Sequence, residues 1–196
     1  NTPLESVPYL NLGVIILLGA GLGEVLKRTG VAEFIVLSVV RGVGLTTQLR
    51  AQLGVMVACT VLAGALGTLA GSVAIVAPIV IPLLAALGFS TTATAAMFFF
   101  SGLAGLTLSP FAPITASIYG AAGVSWIGYV LAAGLPTAAV MFGVGFLAVR
   151  WNQRRTADAF PYPPERAVDL DDVHDPEPGA RRTTAAFLVA FVALVA

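Results

Sequence analysis

Two groups of residues in this chain have types and spacing that could do chemistry: Thr68, Gly71 and Ser72, and then Ser109, Pro110, Pro113 and Thr115. Each group combines hydroxyls with residues that interrupt a helix, and each lies inside a long apolar run. Proline lacks an amide donor and disfavours helical geometry in its predecessor, so Ser109-Pro110-Phe111-Ala112-Pro113 cannot continue an unbroken helix. Gly71 and Ser72 are expected to interrupt the earlier run in the same way. The two resumed half-helices are expected to begin near mid-membrane, at Ser72 and at Pro113. The amino-terminal end of each presents unpaired amides and a partial positive charge, which draws anions without any basic side chain. The hydroxyls of Thr68, Ser72, Ser109 and Thr115, with the freed carbonyls, add ligands for a carboxylate or a small cation. The competing reading is that the prolines only kink packed helices and the hydroxyls bond their own backbone.

The elements that must position these groups are membrane helices. No charged residue and no histidine occurs from Ala51 to Val149. The chain is 58% hydrophobic and 10% charged, with a mean hydropathy of +0.94, which excludes an ordinary soluble domain. A helical crossing needs about 20 apolar residues, so several crossings follow. The fold class is all-α, a polytopic integral membrane protein. Residues 1–150 form the membrane domain: a crossing over 4–26, an interfacial helix over 31–43, a re-entrant hairpin over 53–87, a broken helix over 90–122 and a crossing over 126–149. Trp126 and Tyr129 read as an interface belt. Residues 151–182 carry most of the acidic residues, five prolines and His174, and read as a disordered cytoplasmic linker. Residues 183–196 read as the start of a truncated transmembrane helix, which suggests a fragment of a longer protein. Two full crossings over 53–87 fit the charge pattern equally well.

Lys27, Arg28, Arg41 and Arg50 flank one side, and Arg150, Arg154, Arg155, Arg181 and Arg182 flank the linker. Both belong in the cytoplasm by the positive-inside rule, in a multi-pass protein of the cytoplasmic membrane. The pairs Gly64 and Gly67, Gly102 and Gly105 precede the two breaks in a weak internal echo, which close helix packing would also explain. Cys59 reads as a small packing residue. A hydrolase would need a base beside its nucleophile, and Ser109 has no ionisable neighbour in the apolar run, so an enzyme is not expected. No sustained basic patch points to nucleic acid. No bound metal or organic cofactor is implied.

Gly71-Ser72-Val73-Ala74, then Ala77-Pro78-Ile79-Val80-Ile81-Pro82-Leu83, and Ser109-Pro110-Phe111-Ala112-Pro113-Ile114-Thr115 together resemble one inverted-repeat half of the ion transporter superfamily of carboxylate carriers. Its members include gluconate, citrate and dicarboxylate transporters. The resemblance implies a secondary active transporter of a small organic anion, working by alternating access, with hairpin tip and helix break together holding substrate and coupling ion. Thr68, Gly71, Ser72, Ser109, Pro110, Pro113 and Thr115 are then the binding residues, and a homodimer is the implied assembly. Sodium-coupled members carry Ser-Asn-Thr at the tip where this chain has Ser72, Val73 and Ala74. The coupling ion is therefore open between Na+ and H+. Glu24, one turn from Lys27 and Arg28, is the ionisable group nearest the membrane interior and reads as an interfacial ion-pair partner. A cation/proton antiporter of related architecture is the second reading, and a channel or structural membrane subunit is a third.

Overall fold

The structure is a computed structural model that describes residues 47–163, together with Val14, Leu17, Gly21, Val25, Arg28, Gly30, Val31, Phe34, Val36 and Ser38. Most of the first crossing, most of the interfacial helix, Glu24, His174 and residues 164–196 lie outside the described residues. Val31 and Val36 are helical and fully buried in the main hydrophobic cluster.

Among the described residues the protein is all-helical, and four helices are long and apolar enough to cross a membrane. Helix α1 is Gln48–Leu66, α2 is Leu69–Ala86, α3 is Thr91–Leu108, α4 is Pro113–Ala122 and α5 is the single turn Trp126–Tyr129. A π-helical turn, Val130–Gly134, leads into α6, Leu135–Thr156. At 1.5 Å per residue, α1 and α3 each rise about 27 Å, close to the ~30 Å thickness of a hydrocarbon core.

Side-chain bonds at both ends fix the directions of the helices. Gln48 Nε2 donates to the Leu87 carbonyl (2.8 Å), so the start of α1 meets the end of α2 and the pair is antiparallel. The segment 53–87 thus lies within two helices joined at Gly67 and Thr68. α3 returns alongside α1, where Gly64 and Gly105 bring the two backbones together: a Cβ added at Gly105 would stand 2.9 Å from the Gly64 nitrogen and closer still to the Thr60 carbonyl oxygen. Small residues at such a crossing let membrane helices approach closely. Gly102 likewise faces the Leu69 side chain. These three glycines are packing residues, which accounts for the echo between the two breaks.

α6 runs antiparallel to α3. Gly134 lies against the Thr107 carbonyl, Gly145 against the Phe100 ring, and Asn152 donates to the Thr92 carbonyl (3.4 Å), in reverse sequence order. The helix continues to Thr156, seven residues past the predicted end of that crossing. Its last turn is held by buried polar contacts: Gln153 Oε1 accepts from the Ser90 amide (2.9 Å) and Gln153 Nε2 donates to the Gly88 carbonyl (2.8 Å). The cluster between the helices contains Met56 and Leu62 from α1, Val76, Val80 and Leu84 from α2, Met97 from α3 and Val149 from α6. Cys59 is buried among them, its thiol facing the Phe98 carbonyl. The outer face of the α5 to α6 arm, with Leu131, Val140, Val144 and Leu147, is exposed, as lipid-facing surface is.

Candidate functional site

α1 ends at Gly67, whose φ of 67° is left-handed and whose amide donates back to the Ala63 carbonyl (2.9 Å). Glycine adopts this geometry without a Cβ penalty and commonly stops a helix this way. Thr68 then takes an extended conformation as the cap of α2, its side chain making no cap hydrogen bond and remaining exposed. The interruption is therefore Gly67 and Thr68. Gly71 and Ser72, expected at the break, belong to the first turns of α2. A glycine after an uninterrupted run followed by threonine is a stop-and-cap pair, and that pair sets the boundary. Ser72 is buried, its hydroxyl donating to the Leu69 carbonyl (2.8 Å) beside the thiol of Cys59, and so faces the core. Gly71 closely underlies Thr68: a Cβ there would stand 2.5 Å from Thr68 Oγ1.

The second break runs over residues 109–112. Ser109 ends α3 in an extended conformation, and Pro113 starts α4, where its missing amide costs no helical bond. Buried Ser109 accepts the Phe111 amide on its hydroxyl (3.2 Å). Three side chains pin the carbonyls around this break. Buried Thr115 donates to Leu106 (2.8 Å), Tyr119 donates its phenol to Pro110 (3.0 Å) and Trp126 donates its indole to Leu108 (3.2 Å). Backbone that leaves the helical pattern at membrane depth must find partners inside the protein, and these donors supply them. Trp126, read from sequence as an interface residue, also supports the break. No local signal connects it to a carbonyl 18 residues earlier.

The two interruptions meet. A Cβ added to Gly67 would stand 3.0 Å from the Phe111 carbonyl carbon and 3.1 Å from the Ala112 nitrogen. Four helix ends therefore converge at one place, the carboxyl ends of α1 and α3 and the amino ends of α2 and α4. Carboxyl ends carry partial negative charge and outward carbonyls, and amino ends the reverse. Of the predicted binding residues, Thr68, Gly71, Ser109, Pro110, Pro113 and Thr115 lie at or next to this junction, while Ser72 is turned into the core. The polar groups gathered there are oxygens of hydroxyls and carbonyls, together with the amides of the two amino ends. Such oxygens suit a hard cation stripped of part of its water. Among the described residues there is no group of three or more His, Cys, Asp or Glu side chains that could hold a metal ion.

The chain matches the Na+/H+ antiporter family over residues 9–151. No curated protein and no solved structure matches it. The family match overturns the resemblance to carboxylate carriers. The motifs behind that resemblance, Gly71-Ser72 and Ser109-Pro110 with their neighbours, record where helices are interrupted or capped; they do not encode what the interruption binds. The sequence thus carried the architecture of a membrane transporter, and of its two transport readings the family fits the second, a cation/proton antiporter, better than the organic-anion symporter. This chain, a multi-pass membrane protein, belongs to the Na+/H+ antiporter family.

Proposed function

We propose that this protein exchanges sodium ions for protons across the membrane, holding the sodium ion where the α1 to α2 connection meets the α3 to α4 break. The observation that carries the reading is the convergence of Gly67 with Phe111 and Ala112 in a chain of this family. The junction offers the carboxyl ends of two long helices and the hydroxyls of Thr68 and Ser109, and no fixed charge occurs from Ala51 to Val149 to compete for the ion. Discontinuous helices coordinate cations through unwound carbonyls and carboxyl ends in secondary transporters.

Proton exchange needs a group that changes its charge. Within residues 9–151 the only carboxylates are Glu24 and Glu33, and there is no histidine. We assign the proton to one of those two carboxylates ahead of Lys27 and Cys59, because a carboxylate becomes negative when the proton leaves and so can trade it for a cation. The test is reconstitution of the full-length protein into vesicles holding a pH-sensitive dye. A sodium gradient should drive proton movement that a potassium gradient does not, and Glu24→Gln or Glu33→Gln should abolish it. An internal pH that is indifferent to sodium and lithium gradients, at verified incorporation of folded protein, overturns the reading.

A further inference from the structure

The opposite end of the molecule holds a separate feature. Where α1 begins and α6 ends, a cavity of about 280 Å³ is lined by Thr47, Gln48, Gln52, Phe89, Arg150 and Arg154, among others. Arg150 and Arg154 are four apart on α6 and so share a face, one half-buried and one exposed. The first-turn amides of Gln48 and Leu49 precede the first backbone bond of α1, which runs from the Ala51 amide to the Thr47 carbonyl. The sequence has no acidic residue between Glu33 and Asp158, so Arg50, Arg150, Arg154 and Arg155 at this end face one carboxylate, Asp158, among the described residues. The floor is a buried amide: Gln52 Nε2 donates to the Phe146 carbonyl (2.8 Å) and faces the Met56 sulfur, leaving its carbonyl oxygen as the group it can offer a ligand.

We infer that this cavity binds the head group of an anionic phospholipid, with the phosphate between the Arg150 and Arg154 guanidinium groups and a head-group hydroxyl on the Gln52 carbonyl. Two guanidinium groups on one helix face provide planar, always-charged donors suited to phosphate oxygens. The neighbouring amino end of α1 adds favourable partial charge. Location decides the source of the phosphate. The cavity sits at the arginine-bearing ends of two candidate spans, Gln48–Leu66 and Trp126–Thr156, with exposed Leu49 on its rim. The positive-inside rule puts that end at the cytoplasmic leaflet, where basic pockets between helices take anionic head groups. This binding is independent of the ion exchanged at the far junction.

The experiment uses the full-length protein in nanodiscs of phosphatidylcholine, with phosphatidylglycerol titrated in and bound lipid counted by native mass spectrometry. Retention of phosphatidylglycerol over phosphatidylcholine, weakened tenfold or more by Arg150→Gln with Arg154→Gln, is the expected result. Arg154 is exposed, so Arg154→Gln alone should fold normally and still weaken retention severalfold; melting temperature in pure phosphatidylcholine checks this. Undiminished retention in the folded single and double variants overturns the proposal. Inorganic phosphate displacing the lipid at equal concentration would make this a free-anion site and also overturns it. So does lipid that binds only once Asp169, Asp171, Asp172 and Asp175 are neutralised, because the cavity would then belong to the chain's own acidic segment.

Discussion

Gly67 and Phe111 are in backbone contact: the space for a Cβ on Gly67 ends 3.0 Å from the carbonyl carbon of Phe111. One residue connects α1 to α2 and the other lies between α3 and α4, so the contact joins the two interruptions directly. A shift in either connection must displace the other. In an antiporter that exposes its ion site alternately, this contact would transmit movement between the two helix pairs.

Gly67→Ala should therefore abolish exchange while leaving the helices formed. The methyl group meets backbone that cannot rotate away, and the φ of 67° is strained for alanine at a cost above about 1 kcal/mol. Gly143→Ala is the control, because nothing lies within 4 Å of its would-be Cβ. Sodium-driven proton flux should be lost in the first variant and kept in the second, at equal amounts of folded protein.

The Gly67 contact also shows how far the sequence could be read. That residues 51–149 form membrane helices is legible from the absence of charge, and the α3 to α4 break from two prolines three apart. The first break was displaced from Gly67 to Gly71 because both are glycines near hydroxyl residues. The difference lies in Thr68, an extended cap following a left-handed stop, which composition does not reveal. The roles of Tyr119 and Trp126 depend on carbonyls 9 and 18 residues away, and no periodicity encodes such pairings. The resemblance to carboxylate carriers failed at the level of the family, since interrupted and capped helices of this kind recur in membrane carriers whatever they transport.

Gly105→Ala should act on folding instead. Its Cβ would enter the space between α1 and α3, 2.8 Å from Ala63 Cβ and against the Thr60 carbonyl. Overpacking of this kind costs about 1–3 kcal/mol. The expected outcome is a lower melting temperature in detergent and less folded protein, with exchange per folded molecule retained or lost together with the α1–α3 packing. An unchanged melting temperature would mean the helices separate freely.

Thr115→Val tests whether the pinning of the break matters to the site. The substitution keeps the shape and removes the donor to the Leu106 carbonyl, which still accepts from the Ser109 amide (3.2 Å). The stability cost is therefore at the low end for a hydrogen bond, about 0.5–1.5 kcal/mol. Sodium affinity in the exchange assay should fall several-fold with little change in melting temperature. Equal sodium dependence in both proteins would confine Thr115 to a structural role.

Topology can be read from sidedness. Gln48 bonds to the end of α2, and Gln153 bonds to Gly88 and Ser90, so Thr47 and Asp158 lie at the same end of the bundle. With Cys59 replaced by alanine, single cysteines at Thr47 and Asp158 should both react with a membrane-impermeant thiol reagent from the cytoplasmic side. Labelling from opposite sides would require an odd number of crossings between them and contradict the antiparallel arrangement of α3 and α6.

Gln153→Leu should be the most destabilising of these changes. Its side chain is buried and answers two backbone groups at once, the Ser90 amide and the Gly88 carbonyl, while Ser90 Oγ also reaches its oxygen (3.3 Å). Leucine fills the volume and leaves both backbone groups without that partner, at about 1–3 kcal/mol for each one that finds no water. The α2 to α3 connection would lose its tether to the end of α6, so the loss should show first as faster amide exchange at Ser90, whose N–H the glutamine accepts. A melting temperature several degrees lower should accompany it. Protection of the Ser90 amide equal to that of the unaltered protein would mean that the Phe89 packing, not the glutamine, holds the connection in place.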